Sequence, residues 1–494
     1  MADEIKRLYV NGEWIETGTT FDVINPGTGE RLAQVASAGR ELARRAVKAA
    51  HNAFPGWRGL TGVVRGDYLL GAAAALNRRR EEIARTITEE NGKPLAQSRG
   101  EVDVAVDHLR WFAEEARRGY GRIVPHQAEG KRHLILQQPV GVVGLIAPWN
   151  FPLVLSVRKA APALAAGCTA ILRPARQTPL CAVALAECME EAGIPSGVFQ
   201  MITGPAAPIV DEFMENPWVR KISFTGSTAV GKELIEKSAK TVTNLSLELG
   251  GHAPVIVFAD ADLDLAVEGA LITKFRNTGQ SCIASNRIYV ERSIYNAFLD
   301  RFALRAQQLK VGYGLEEGVD IGPLVNREGL ETALAHIENA VAAGGRIVCG
   351  GKRATVAGPQ GATPQGGPEA GAGGGYYLEP TVIADVPDDA ACMTEETFGP
   401  VAPVIAFDTE DEAIRKANDS RYGLAAYAYT SDLNRSWRLA EQLEAGTVGI
   451  NDAVPSTSNC PFGGVKESGF GRELGVEGMA AFMETKHVSF GGVR

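Results

Sequence analysis

The run Val142-Val-Gly-Leu-Ile-Ala147, the helical stretch that closes at Ala166-Gly167, and the run Thr169-Ala-Ile-Leu172 decide the fold. Both runs are short and apolar, and the first is bounded by Gly and Pro. Thr178 then opens an amphipathic helix ending at Gly193. Val198 to Ile202, Lys221 to Phe224 and Leu245 to Leu247 read as further strands, with helical segments between the later ones. Strands that alternate with helices imply right-handed crossovers and a parallel, doubly wound α/β sheet. Ligands of such sheets bind at the carboxyl ends of the strands.

A second α/β series begins after Gly251 with Val255-Ile-Val-Phe258, a helix through Ala270 and Arg287-Ile-Tyr-Val290. A helix to Gln308, a helix from Arg327 to Ala343 and strands near Val348, Val382 and Val404 continue it. Between them lies a low-complexity insert, 354–375, with eight Gly and three Pro in 22 residues. Such a segment cannot bury a core and is expected to be a mobile loop. Upstream, Asn11-Gly12 and Asn25-Pro26-Gly27 mark turns in a small β-hairpin region. Three helical patterns follow, among them Leu69 to Thr88, stopped by Asn91-Gly-Lys-Pro94, and Val102 to Arg117. Leu134 to Val157 is 24 residues without a charge, but Pro139, Pro148 and Pro152 interrupt it. It reads as a buried strand followed by a loop, not as a membrane span.

With 494 residues the chain suggests about three structural units and can bury a large core without metal or disulfide staples. A net charge of −9 with scattered Lys and Arg argues against a nucleic-acid or anionic-membrane binder. Met1 to Arg7 is charged and lacks an apolar core, so no signal peptide is expected. Seven cysteines, odd in number and without a C-x-x-C spacing, point to reduced thiols and a cytoplasmic location. The seven histidines form no ligand cluster, so no metal site is expected.

No complete G-x-G-x-x-G follows a strand. Instead, Phe224-Thr-Gly226-Ser227 ends a strand in a Gly turn, and Ser227 can cap the next helix, whose free N–H groups suit a diphosphate. Cys282 follows the polar turn Arg276-Asn-Thr-Gly-Gln-Ser281, where a thiol is accessible enough to act as a nucleophile; a buried inert thiol is the alternative. Glu248 ends an apolar strand and is either a tuned general base or a rim acid. Asn150, between Trp149 and Phe151-Pro152, either donates to an oxyanion or satisfies a turn.

Together these segments resemble the NAD(P)-dependent aldehyde dehydrogenase superfamily over nearly the whole chain. The matching segments are Pro148-Trp-Asn-Phe-Pro152, Phe224-Thr-Gly-Ser-Thr228, Leu247-Glu-Leu-Gly-Gly251, Gly279-Gln-Ser-Cys282, Glu396-Thr-Phe-Gly-Pro400 and Pro461-Phe-Gly-Gly464. The 34-residue interval from Glu248 to Cys282 matches the family's spacing of base and nucleophile. The resemblance implies an aldehyde dehydrogenase-like α/β fold with two doubly wound parallel-sheet domains and a β oligomerisation arm. Residues 1–119 and 140–250 would bind the cofactor, 251–467 would form the catalytic domain, and 120–139 with 484–494 the arm. A homo-oligomer, dimer or tetramer, is implied.

The resemblance also implies roles. Cys282 would attack the aldehyde, Asn150 and the Cys282 N–H would hold the oxyanion, and Glu248 would activate water against the thioester. Trp149, Gly226, Ser227, Glu396, Phe398 and Lys159 would serve the cofactor. The subgroup most similar is succinate-semialdehyde dehydrogenase, whose carboxylate-binding positions match Arg158, Arg276 and Ser456. Two guanidiniums and a hydroxyl make a carboxylate clamp; structural ion pairs are the other reading of the two arginines. Glutarate or α-ketoglutarate semialdehyde would use the same clamp, and an uncharged aldehyde remains an alternative. A CoA-acylating relative or a non-enzymatic protein on this fold is opposed by the retention of Glu248, Cys282 and Asn150.

Two departures stand out. Ala284 occupies the position where the subgroup often carries a second Cys, so a redox switch is not expected. The segment that commonly reads Lys-Pro-Ala/Ser-Glu is Arg173-Pro-Ala-Arg176. A Glu there would repel a 2′-phosphate, whereas Arg173 and Arg176 attract it. NADP is therefore favoured, with NAD as the alternative.

Overall fold

A computed structural model describes residues 5–356 and 375–493. Of the insert at 354–375, residues 357–374 lie outside the described residues.

Five parallel strands, Val142–Ile146, Thr169–Arg173, Phe199–Met201, Val219–Thr225 and Asn244–Glu248, form the centre of an eight-stranded sheet. Val142–Ile146 lies in the middle, with the next two strands on one side and the last two on the other. The chain thus reverses direction across the sheet between Val142–Ile146 and Val219–Thr225. A topological switch point of this kind opens a crevice beyond the carboxyl ends of the two strands. Val142–Ile146 is buried throughout because helices cover both faces. Val143 and Leu145 pack into the core on one side, and Val142 and Ile146 into the core on the other, as a strand's two-residue period requires. The antiparallel hairpin Leu8–Val10/Glu13–Ile15 extends one edge, and Gly469–Phe470 the other.

A second, seven-stranded sheet has six parallel strands: Thr381–Ala384, Val401–Phe407, Ser285–Glu291, Ala253–Val257, Ala425–Tyr429 and Thr447–Ile450. Arg346–Cys349 closes one edge antiparallel. The last two parallel strands, Ala425–Tyr429 and Thr447–Ile450, go beyond those expected from the sequence. Ala425-Ala-Tyr-Ala-Tyr429 has no β-branched residue and three Ala, which disfavour strands, so its strand state owes most to complete burial between neighbours. A third sheet pairs Arg122–Val124, Arg132–Pro139 and Met483–Phe490 antiparallel and leaves the last of these at an edge.

Two local expectations differ from the structure. Leu69 to Thr88 is not one helix: Gly62–Arg78 and Arg80–Asn91 meet at Arg79, whose guanidinium is held by Glu82 and Glu187. Leu134 to Val157 holds parts of two strands and a helix. Pro139 ends the arm strand, Gly141 turns the chain at φ +132°, and Pro152 starts the helix Pro152–Ala166. The helix expected from Thr178 to Gly193 runs Leu180–Glu191, and the buried Glu90 side chain caps its start, accepting from Leu180 N at 2.7 Å and Cys181 N at 3.0 Å.

Candidate active site

Beyond the switch point, the loop Ala147–Phe151 places Asn150 with its side chain buried. Its backbone O accepts from Lys93 Nζ at 2.6 Å and Asn277 Nδ2 at 2.8 Å. One Nδ2 proton goes to Gln280 O at 3.2 Å, which leaves the second free. Asn277, Thr278 and Gly279 all adopt left-handed φ, at +50°, +59° and +76°. Such a turn costs about 1–3 kcal/mol per non-glycine residue. It is held by Asn277 N donating to Gln97 Oε1 at 2.8 Å and Thr278 Oγ1 to Gly322 O at 3.1 Å. The turn delivers Cys282 to the crevice. A side chain at Gly251 would put its Cβ 2.0 Å from Cys282 O, so glycine is required where the chain leaving Glu248 passes the nucleophile loop.

Cys282 Sγ donates to Glu248 Oε1 at 3.0 Å. Glu248 Oε2 accepts from Thr225 Oγ1 at 2.9 Å, and Lys159 Nζ donates to that hydroxyl at 2.6 Å while also pairing with Glu473. Burial, then the Glu473 charge, push the Glu248 carboxyl up. Burial, then the Glu248 carboxylate, push the Cys282 thiol up. The resting thiol therefore keeps its proton, aimed at a carboxyl poised to take it. Glu396 Oε1 accepts from Gly251 N at 3.1 Å, and burial raises its carboxyl to about 7.

Three cavities run together at this point. Pro148, Trp149, Asn150, Gly226, Ser227, Cys282, Glu396 and Phe398 line one of about 200 Å³. It shares Trp149, Gly226 and Ser227 with an outer cavity of about 440 Å³, which adds Arg173, Val210, Val230, Glu233 and Lys237. On the opposite side Cys282 also lines a cavity of about 130 Å³ with Phe151, Arg158, Arg276, Ser456 and Phe462. The outer pair fits a nicotinamide dinucleotide. Ser227 caps the helix Thr228–Ser238 by accepting from Val230 N at 3.4 Å, and that helix's N-terminus opens into the cavity. Ala206, Val210, Val230 and Leu234 form an apolar slot for an adenine, and the buried Arg173 Nε has no hydrogen-bond partner among the described residues. Trp149 and Phe398 meet edge to face at 5.4 Å beside the thiol.

Two expected cofactor residues lie elsewhere. Lys159 is fully buried and committed to Thr225 and Glu473, so it lines none of these cavities. Arg176 is exposed, and its guanidinium stacks over Phe21 at 5.1 Å, away from the outer cavity. On the inner side, Arg158 stacks over Phe462 at 4.7 Å and lies 3.9 Å from Glu473. Arg276 is exposed, stacks over Phe151 at 5.1 Å, and makes no ion pair or hydrogen bond through its side chain among the described residues. Sequence reasoning missed Thr225, Glu473, Lys93 and Glu101. Thr225 belongs to a quoted segment but reads as a strand end, Lys93 lies in the Asn91–Pro94 stop and reads as part of it, and the other two carry no local signal.

Two doubly wound sheets bring a thiol, a buried carboxylate and an amide to one nucleotide-sized crevice, an arrangement suited to an oxidoreductase. The chain belongs to the aldehyde dehydrogenase family, whose model matches residues 14–488. It is 45% identical over 490 residues to glutarate-semialdehyde dehydrogenase of Pseudomonas aeruginosa, covering 99% of this chain and 98% of that protein. It is likewise 45% identical to succinate-semialdehyde dehydrogenase (NADP(+)) of Escherichia coli, covering 98% of each. A solved structure described as an NADP-dependent enzyme of E. coli superposes with a TM-score of 0.94 at 44% identity, covering 98% of both chains.

Proposed function

We propose that this enzyme oxidises a short aldehyde carrying an ω-carboxylate, succinate semialdehyde or a related semialdehyde acid, with NADP favoured over NAD. The observation that carries this reading is the inner cavity. Two arginines, Arg158 and Arg276, and Ser456 line it together with Cys282. The relatives that act on glutarate and succinate semialdehyde are equally similar to the chain, so identity does not rank the two substrates. NADP preference rests on Arg173 in the outer cavity rather than on Arg176.

The chemistry follows from the hydrogen bonds. Cys282 passes its proton to Glu248, and the thiolate adds to the aldehyde carbon to give a thiohemiacetal. The oxyanion receives the free Nδ2 proton of Asn150 and the Cys282 N–H, a form of stabilisation worth about 10²–10³ in rate per donor. A nicotinamide held beside Cys282 by Trp149, Glu396 and Phe398 would supply the hydride acceptor for oxidation to the thioester level. Glu248, after passing its first proton to solvent, takes one from water; the hydroxide attacks the thioester carbonyl, the C–S bond breaks, and the proton of the new carboxylic acid passes to the Cys282 sulfur, releasing the carboxylate and restoring the thiol. Glu396 faces the same cavity and would hold the nicotinamide ribose. The exposed edge at Met483–Phe490 supports pairing with another copy, as a dimer or tetramer. Seven free cysteines support a reducing, cytoplasmic setting, and among the described residues no helix is long and apolar enough to cross a membrane.

The test is a panel of aldehydes with and without an ω-carboxylate, each run with NADP and NAD. A kcat/KM that does not favour the carboxylated aldehydes would remove the substrate reading. A preference for NAD would remove the cofactor reading.

A further inference from the structure

The substrate cavity contains an acid as well as its arginines. Glu101 lines it beside Arg276 and Cys282, although its side chain is almost fully buried. An uncompensated carboxylate there would oppose an anionic substrate. Lys93, also fully buried, donates to Glu101 Oε2 at 2.6 Å and to Asn150 O at 2.6 Å. Glu101 Oε1 in turn accepts from Leu153 N at 2.9 Å and Val154 N at 3.2 Å, the first turn of the helix that follows Asn150. The Phe151 ring lies 4.0 Å from Lys93 Nζ and 5.1 Å from the Arg276 guanidinium, so one aromatic ring bridges the two cations.

We propose that Lys93 and Glu101 form a buried positioning pair that fixes the Asn150 turn and cancels the Glu101 charge, leaving Arg276 net positive toward the substrate. The inference rests on the carboxylate-clamp reading above. Its two parts act on different kinetic constants. Loss of the turn's anchor displaces Asn150 and lowers kcat for every aldehyde. Loss of the Lys93 charge exposes Arg276 to the Glu101 carboxylate and raises KM for anionic aldehydes only. Burial, partly offset by the Glu101 carboxylate, lowers the Lys93 pKa, and the Arg276 charge adds to that lowering.

The experiment compares Lys93→Met, Glu101→Gln and the double variant, with succinate semialdehyde and butanal as substrates. Thermal melting and NADPH fluorescence titration report folding and cofactor binding. Lys93→Met is expected to lower kcat about tenfold for both aldehydes and to raise KM about tenfold for the semialdehyde alone, each equivalent to about 1.4 kcal/mol. The double variant is expected to bring the semialdehyde KM back to within about threefold of the parent while kcat stays low, since a neutral Gln no longer opposes the anion. A KM that rises equally for both aldehydes, or one that the second substitution fails to restore, overturns the proposal. Should Lys93→Met not fold, Glu101→Gln decides alone: an unchanged or lower semialdehyde KM supports the pair, and a tenfold rise refutes it. Arg276→Ala is run alongside. If it fails to separate the two aldehydes, the clamp itself is wrong; if it separates them and the Lys93 variants do not, only the pair is wrong.

Discussion

Arg276→Ala is the sharpest test of the substrate assignment, because the structure gives this side chain no other charged work. It lines the inner cavity with Cys282, stacks on Phe151, and has no ion pair or side-chain hydrogen bond among the described residues. Its removal should therefore cost little stability. At about 4 Å and an effective dielectric of about 20, a guanidinium and a carboxylate attract by about 4 kcal/mol before desolvation. After desolvation, a hydrogen bond to a charged group retains about 2 kcal/mol. That corresponds to a loss of about 30-fold in kcat/KM for succinate semialdehyde. Butanal, with the same number of carbons and no charge, should lose less than about threefold, and the semialdehyde loss should shrink at high salt. The assay is initial-rate NADPH formation with each aldehyde at low and high ionic strength. Equal losses for the two aldehydes would refute the clamp. Arg158→Ala should behave differently, since Arg158 also faces Glu473 and counters the upward push on Glu248; it should lower kcat for both aldehydes.

Other consequences are equally direct. Asn150→Ala should reduce kcat about 10²–10³-fold with little change in NADPH binding; a tenfold or smaller loss would move the oxyanion site elsewhere. Arg173→Glu should shift preference toward NAD, whereas Arg176→Glu should change the NADP/NAD ratio little, because Arg176 sits over Phe21 outside the outer cavity. Equal shifts in the two variants would contradict that placement. Activity should fall as pH drops through the raised Glu248 pKa, since only the ionised carboxylate is a base; a kcat unchanged by acidification over the whole range in which the enzyme stays folded would exclude this role. Stability should run the other way. Burial raises Glu90 to about 8, so between the unfolded value near 4.5 and that pKa the folded state binds the extra proton. Unfolding free energy should then decline as pH rises through this window, by up to about 1.4 kcal/mol per unit for this group. Glu90→Gln should flatten the decline seen in denaturant titrations; an unchanged slope would show that other groups cause it.

Much of the fold was legible because parallel strands buried on both faces leave compact apolar runs such as Val142–Ile146, with Gly and Pro at their borders. Ala425–Tyr429 was not legible, since Ala and Tyr acquire strand geometry there from neighbours distant in sequence. Residues at turns with unusual local composition, such as Cys282, Asn150 and Ser227, could be singled out because their surroundings need an explanation. Glu90, Lys93 and Glu101 could not. Each lies on or beside an ordinary-looking helix, and its partner is far along the chain or on another element.

The sequence by itself determined the α/β alternation, because the apolar and Gly/Pro pattern depends on neighbouring residues, and through its resemblance to aldehyde dehydrogenases it singled out the residues for thiol-based aldehyde oxidation. Only the tertiary structure decided how they are used. It put Cys282 Sγ 3.0 Å from Glu248, turned Lys159 away from the cofactor cavity toward Thr225 and Glu473, and left Arg176 on Phe21. It also placed a neutralised acid beside Arg276. Such outcomes are set by distances and burial across segments up to 314 residues apart in sequence, as between Lys159 and Glu473, where charge and desolvation act through space rather than along the chain.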